Sequence, residues 1–123
     1  MSGIDLVVDT NILIYLTSGN KSVAKALRNK NFAISFITEM ELLSWPLLSE
    51  EEILTIKKLV LQCKVIDLNE EIKETAIDIR RKTKLKLPDA IICATSVYIG
   101  QPLLSADKLF KKVNDLDLLL ITI

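Results

Sequence analysis

The chain contains no histidine, and this absence excludes several kinds of active site. Without an imidazole, neither a His-based acid–base pair nor a Ser-His-Asp triad can be built. The three glycines form no G-x-x-x-x-G-K-[ST] or G-x-G-x-x-G loop, so the motifs of nucleotide-cofactor binding are also missing. Catalysis through metal ions held by carboxylates stays open, because a metal-activated water needs no titrating imidazole.

Cysteine, net charge and long apolar runs are scarce as well. Cys63 and Cys93 form no C-x-x-C pair, which predicts buried reduced thiols. Sixteen basic residues balance sixteen acidic ones, so any contact with nucleic-acid phosphates must be local. The longest apolar runs fall far short of the roughly 18 to 20 residues of a membrane helix, and the start lacks the pattern of a secretory signal. Since half of the 123 residues are hydrophobic, we expect one compact domain over residues 1–123, in the cytoplasm and without membrane contact.

Strands and helices are predicted to alternate along the chain. This alternation favours an α/β fold with a parallel sheet and right-handed crossovers. A helix opened by Thr38 is expected to bend at Pro46, which cannot donate a backbone hydrogen bond. Strands are predicted at residues 4–8, 32–36, 65–66, 103–104 and 118–123, and helices at residues 11–17, 21–29 and 108–113, with four more opening near Thr38, Ser49, Asn69 and Pro88.

Acidic residues lie where predicted strands end or helices begin. Asp9 and Asp107 follow strands, Glu41 comes shortly after one, and Asp89 directly follows Pro88. In a parallel sheet, strand ends and helix starts share one edge, and ligands bind in the crevice there. Carboxylates gathered at that edge would repel one another unless they shared a cation, and oxygen-only ligands favour Mg²⁺ or Mn²⁺. The pattern therefore predicts a metal-dependent hydrolase of phosphodiesters.

Each of these acids also has a purely structural interpretation. Asp9 and Asp107 would serve as helix N-caps. Glu41 would complete a capping box with Thr38, and Asp89 would complement the dipole of the helix it begins. Sequence spacing alone does not decide between the two interpretations.

A basic segment precedes Pro88 and is the local candidate for contacts with RNA phosphates. Its cations include Arg80, Arg81, Lys84 and Lys86. The alternative is a solvated helix end, where Lys and Arg suit the negative end of the macrodipole.

Four blocks of the sequence together resemble the ordered blocks of PIN-domain ribonucleases, especially VapC-type toxins. The resemblance covers nearly the whole chain and includes Asp9-Thr10-Asn11 and Pro88-Asp89-Ala90. A departure is Trp45-Pro46, which lies where many relatives have a small residue. The blocks are residues 9–13, 41–43, 87–95 and 103–110.

The resemblance implies a fold, an activity and partners. The fold would be a three-layer α/β/α domain with a short, mainly parallel central sheet. The activity would be that of a Mg²⁺- or Mn²⁺-dependent endoribonuclease, acting on RNA as a homodimer and blocked by a protein antitoxin. Carried over by position, Asn11 and Ser105 would be supporting polar residues. The acidic quartet, both catalytic and metal-binding, would be Asp9, Glu41, Asp89 and Asp107.

The acids suggest a division of labour. Asp9 and Asp89 would hold a first metal ion, and Asp107 would complete that site or bridge to a second ion. Glu41 would orient or deprotonate the attacking water.

Three other functions remain open at this point. The first is a catalytically silent PIN-like domain that binds RNA or protein. The second is a haloacid-dehalogenase-type phosphatase, but the second Asp of that motif is Asn11 here. The third is a response-regulator receiver, in which Asp67 would accept the phosphoryl group, but the segment 118–123 offers no lysine for the fifth strand end.

Overall fold

The computed structural model describes residues 3–123 and contains a five-stranded, fully parallel sheet. Its strands are β1 (Leu6–Val8), β2 (Phe32–Ser35), β3 (Lys64–Ile66), β4 (Leu103–Ser105) and β5 (Leu118–Leu120). They lie in the order β3-β2-β1-β4-β5. The predicted parallel sheet is confirmed, and its strands are three or four residues long.

Within residues 3–123, six α-helices and one short 3-10 helix connect the strands. They are α1 (Thr10–Thr17), α2 (Lys21–Leu27), α3 (Phe36–Leu43), α4 (Glu50–Leu61), α5 (Glu70–Thr83), α6 (Leu87–Ile99) and the 3-10 helix Lys108–Lys112. Local signals set their ends: Ser49 and Glu52 form a capping box, Asn69 caps α5, and Gly100 ends α6 at φ 76°. None of the helices within residues 3–123 is both long and apolar enough to cross a membrane.

The prediction for α3 was wrong at both ends. The helix begins at Phe36, because Ser35 at the end of β2 accepts a hydrogen bond from the Ile37 N–H and acts as the N-cap. Thr38 therefore lies inside the helix and does not form a capping box with Glu41. The helix ends at Leu43, so Pro46 lies in the connection to α4 and does not bend a helix as expected.

Apolar residues fill both faces of the sheet. Successive side chains of a strand point to opposite faces, so Val7 packs into one cluster while Leu6 and Val8 pack into the other. Residues of α5 and α6 cover the first face, and residues of α1, α2 and α4 cover the second. The predicted three-layer α/β/α architecture is confirmed.

The strand order places a crevice beside the central strand β1. The chain runs from β1 outwards through β2 to β3, and then returns to β4 on the other side of β1. Connections that leave a strand in opposite directions open a crevice at the carboxyl ends of parallel strands. Asp9 follows β1 at this position.

Candidate active site

A cavity of about 150 Å³ lies at the carboxyl edge of the sheet and contains all of the predicted acids in its walls. Asn11 lies in the wall as well, and no Lys or Arg is among the described residues that form it. We call this cavity the acid pocket. It is lined by Asp9, Thr10, Asn11, Ile14, Glu41, Trp45, Asp89 and Asp107.

Asp9 is the most buried acid of the pocket, with 5% of its surface exposed. Its Oδ1 accepts a hydrogen bond of 2.8 Å from the Thr10 N–H, and its Oδ2 accepts one of 2.8 Å from Ser105 Oγ. The pKa of Asp9 is raised from 3.8 to about 6: burial is the largest cause, the two hydrogen bonds oppose it, and the charges of Asp89 and Asp107 add to it. The residue is thus an N-cap, as its structural interpretation held, and also the centre of the acid pocket.

Ser105 connects two of the acidic segments. Besides donating to Asp9, its fully buried hydroxyl accepts a hydrogen bond of 3.0 Å from the Asp107 N–H. Asp107 in turn caps the 3-10 helix, because its Oδ1 accepts from the Leu109 N–H at 2.9 Å. The last residue of β4 therefore fixes the distance between the carboxyl ends of β1 and β4.

Glu41 is held by a hydroxyl that sequence reasoning missed. Thr10 Oγ1 lies 2.7 Å from Glu41 Oε1 and 3.0 Å from Thr38 Oγ1. Thr10 has one hydroxyl proton and an ionised carboxylate only accepts, so Thr10 donates to Glu41 and accepts from Thr38. No sequence signal joins Thr10 to Glu41, since the two residues are 31 positions apart.

Asp89 lies in the first turn of α6, where the sequence places it. Burial raises the pKa of Asp89, the charges of Asp107 and Glu41 raise it further, and the charge of Lys86 lowers it. Lys86 is therefore the member of the predicted basic segment whose charge acts on the acids. The other three, Arg80, Arg81 and Lys84, are exposed at the end of α5 and line no part of the acid pocket.

The chemistry of the pocket fits a divalent cation. Its acidic donors are all carboxylates, and burial together with their mutual repulsion raises the pKa of both Asp9 and Asp89. A cation would relieve that repulsion, and oxygen donors suit Mg²⁺ or Mn²⁺. Among residues 3–123, however, no three His, Cys, Asp or Glu side chains already form a group that could hold a metal ion. The pocket gathers the acids, and closer approach of their carboxyl groups would have to accompany metal binding.

A second, larger cavity adjoins the acid pocket, with Ile14 and Trp45 lining both. It has a volume of about 470 Å³ between α1, α3 and α4. Leu42 and Ile56 contribute to its apolar floor, and Glu51 is among the charged residues that line it. We call it the α1–α4 groove. The sequence predicted neither the groove nor a site role for Trp45.

Both cysteines are free thiols, as the sequence predicts. Cys93 is fully buried in α6, and burial raises its pKa. Cys63 is half-buried, and burial raises its pKa to about 11. Neither lines the acid pocket.

The sequence and fold of this chain are similar to those of several known proteins. The family model described as PIN domain matches residues 6–116. A chain of a toxin-antitoxin complex from Klebsiella pneumoniae is 31% identical, with a TM-score of 0.81, over 91% of this chain and 95% of that one. A chain of VapBC-1 from nontypeable Haemophilus influenzae is 25% identical, with a TM-score of 0.79, over 95% and 98%. A chain of DNA-bound VapBC from Salmonella typhimurium, at 16% identity and a TM-score of 0.85 over 94% and 97%, shows similarity of fold alone. No curated protein matches this chain.

Proposed function

Because this chain belongs to the PIN domain family, we propose that it is a Mg²⁺- or Mn²⁺-dependent endoribonuclease and the toxin of a toxin–antitoxin pair. The observation that carries the proposal is the acid pocket. Acids from segments as far apart as Asp9 and Asp107 line one small cavity beside the central strand, with no described Lys or Arg in its wall. Similarity to a chain of the Klebsiella pneumoniae toxin-antitoxin complex supports the biological setting.

The acids would divide the work of hydrolysis among them. Asp9, Asp89 and Asp107 would hold the metal ion or ions. When bound, such an ion lowers the pKa of a water molecule and neutralises charge on the scissile phosphate. Glu41, fixed by Thr10, would accept the proton of the attacking water, whose oxygen then bonds to phosphorus while the bond to the leaving nucleotide breaks.

Two polar residues would support this chemistry. Ser105 holds Asp9 through a 2.8 Å hydrogen bond and also accepts from the Asp107 backbone, so it keeps two proposed metal ligands in place. Asn11 is exposed in the pocket wall, where its amide could donate to a phosphate oxygen.

The basic segment would contact the RNA backbone. Lys86, near Asp89, is the cation best placed for the adjoining phosphate, and Arg80, Arg81 and Lys84 would act farther along the RNA.

Cleavage of a mixed RNA pool tests the proposal. Purified protein should cut RNA in Mn²⁺ or Mg²⁺ and stop in EDTA. Asp89→Asn should lose cleavage while keeping its fold. Asp67→Asn is the matched control, because Asp67 is an exposed acid directly after β3 that does not line the acid pocket. Undiminished cutting by Asp89→Asn, or loss in Asp67→Asn, would contradict the assignment. No cutting by folded protein in either metal would favour the silent, RNA- or protein-binding alternative.

The α1–α4 groove is the proposed binding place of the antitoxin. Its apolar floor suits an apolar segment, and Glu51 together with the adjoining acid pocket favours basic residues in that segment. Glu51→Lys should then weaken co-purification with a small protein co-expressed from the neighbouring gene. Glu50→Lys, an equal charge reversal one residue away and outside the groove, should not. Equal retention by both variants would argue against this docking site.

The remaining expectations belong to the same proposal. We propose that residues 1–123 act as one domain, that the protein forms a homodimer, and that it works in the cytoplasm, where its RNA would be found. Sedimentation equilibrium of the purified protein measures the oligomeric state directly. A monomer at every concentration would remove the homodimer from the proposal and leave the nuclease intact.

A further inference from the structure

We propose that Trp45 is a stacking platform for an unpaired nucleobase next to the phosphate that is cut. This inference rests on the proposed function, because it assumes that RNA enters the acid pocket. It concerns the one aromatic side chain among the described residues of the pocket wall, and it defines a substrate class: RNA whose base beside the cut is free of a helix.

The size of the acid pocket leaves the bases outside it. Its volume of about 150 Å³ is well below the roughly 300 to 1,000 Å³ of sites that enclose a whole small ligand. A phosphate group and its metal ions would fill it. The sugars and bases on either side of that phosphate must therefore lie on the rim, where their contacts are with exposed side chains.

Trp45 offers the apolar surface on that rim. It is 53% exposed, whereas Ile14, the other large apolar residue of the wall, is half-buried. An indole presents a broad π-face, and stacking on such a face accepts any base. Tryptophan combines a large apolar ring with a polar N–H group and is enriched at binding interfaces.

The charge of the acid pocket favours a non-ionic contact with RNA at this place. The acid pocket contains four carboxylates and no described Lys or Arg, so phosphates near it are repelled unless a metal ion faces them. The chain as a whole has no excess of positive charge to compensate. Stacking supplies affinity without charge and can hold the nucleotide while its phosphate enters the pocket.

The neighbouring residues restrict the backbone of Trp45. It lies in the short connection between α3, which ends at Leu43, and α4, which begins after the Ser49 cap. The following Pro46 restricts the backbone of Trp45 to extended conformations. On the preceding side, the Ser44 N–H donates to the Met40 carbonyl at 2.9 Å and closes α3. A platform whose backbone is restricted on both sides loses less freedom when a base stacks on it.

The test combines removal of the indole with removal of the base. RNA binding is measured by anisotropy of a labelled single-stranded RNA in Mn²⁺, using the Glu41→Gln background, which removes the proton acceptor and keeps the proposed metal ligands. Trp45→Ala should weaken binding about tenfold or more, and Trp45→Phe should retain most of it. Leu47→Ala is the control, because Leu47 is fully exposed in the same connection and does not line the acid pocket.

Abasic replacement separates stacking from a general effect on the loop. An abasic nucleotide on one side of the mapped cleavage position should weaken binding to the parent protein, but should have no further effect in Trp45→Ala. Pairing the RNA into a duplex should reproduce the loss. If Trp45→Ala binds less tightly yet stays fully sensitive to the abasic nucleotide, the indole shapes the pocket and does not stack, and the inference is wrong.

The outcomes also distinguish this inference from the proposed nuclease. Undiminished RNA binding by Trp45→Ala, together with normal cleavage in the Glu41-containing protein, would overturn the stacking role and leave the nuclease standing. Failure of the unaltered protein to cut or bind any RNA would overturn both. Because Trp45 is the only tryptophan, its fluorescence reports the contact directly. A change on adding RNA would support stacking, and no change on adding RNA would overturn the stacking role, whether or not a partner protein changes the signal.

Discussion

Asp9→Asn should make the metal-free protein more stable at neutral pH while it removes metal binding. The pKa of Asp9 is about 6 in the folded protein and 3.8 in its ordinary state, so the fold disfavours the ionised carboxylate. This difference in pKa corresponds to about 3 kcal/mol of unfavourable free energy in the folded state at about pH 7.5. Asparagine carries no charge and is an equally good N-cap, so the variant avoids this cost.

The hydrogen bonds reduce the expected gain. The carbonyl of the introduced asparagine can still accept from the Thr10 N–H, and its amide can donate to Ser105 Oγ. The charge-assisted bond from the Ser105 hydroxyl is lost, which offsets roughly 1 kcal/mol. A net increase of about 2 kcal/mol in the free energy of unfolding follows, or about 8 °C in Tm for a chain of this length.

The sign of the pH dependence is the sharpest part of this prediction. Between about pH 4 and pH 6 the folded protein binds more protons at Asp9 than the unfolded chain, so the stability of the unaltered protein rises as pH falls through this range. The advantage of Asp9→Asn should therefore shrink towards zero at about pH 4.5. Urea unfolding in EDTA at about pH 7.5 and about pH 4.5 measures both differences, with Asp67→Asn as an exposed control that should change neither.

Metal ions should make the unaltered protein more stable than Asp9→Asn. At about 100 times its dissociation constant, a bound ion adds about 2.7 kcal/mol of stability to the unaltered protein. Mn²⁺ should raise the Tm of that protein and leave the Tm of Asp9→Asn nearly unchanged. A less stable Asp9→Asn at neutral pH, or the same gain at both pH values, would refute the reasoning that the fold disfavours the ionised carboxylate of Asp9.

Three further predictions concern positions outside the metal ligands. Thr10→Val should lower kcat about 100-fold, because it removes the hydrogen bond that holds Glu41, and should leave the Mn²⁺-induced shift in Tm unchanged. Thr10→Ser should restore the rate. Equal rates in the unaltered protein and both variants would show that the hydroxyl is dispensable. Lys84→Gly should raise the free energy of unfolding by about 1 kcal/mol, because Lys84 has the left-handed φ of 61°. Asn29→Gly, at φ 60°, should change the free energy of unfolding by only a few tenths of a kcal/mol, since Asn tolerates this conformation. Urea unfolding measures both variants, and equal gains would contradict the argument. With a pKa of about 11, Cys63 is a thiolate in only about one molecule in 3,000 at about pH 7.5. Iodoacetamide should therefore label the native protein slowly and the unfolded protein rapidly. Fast labelling of the native protein would be inconsistent with that pKa.

Local chemistry determines which parts of the fold the sequence could predict. Some helix ends depend on contacts within a few residues and can be predicted from sequence spacing: Ser49 and Asn69 each begin a helix, and Gly100 ends one. At the start of α3 two hydroxyls compete for the cap, and Ser35 takes it because it is also the last residue of β2, paired with Ile66 of β3. That pairing is a tertiary fact, so no local pattern could place the cap correctly.

The same limit applies to the site. The acids were predictable because strand ends and helix starts meet at one edge of a parallel sheet. The hydroxyl that holds Glu41 was not predictable, since its hydrogen bond spans 31 positions of sequence. The basic segment shows the converse: Arg80 and Lys86 are close in sequence, but a left-handed residue at Lys84 separates the end of α5 from the start of α6. Only Lys86 is carried towards Asp89.

Asp9 shows why a structural and a functional interpretation of one residue need not compete. An N-cap directly precedes its helix and faces the first amide groups, and Asp9, which directly follows β1, does so through Oδ1. That same requirement places its other oxygen, Oδ2, at the carboxyl edge of β1, where Ser105 of the adjacent strand reaches it. The cap thus fixes the orientation of a carboxylate that burial and its neighbours make unfavourable to ionise. A parallel sheet that caps its helices with acids at the crevice therefore builds part of an acidic pocket in the act of folding, and the other acids need only be brought to it.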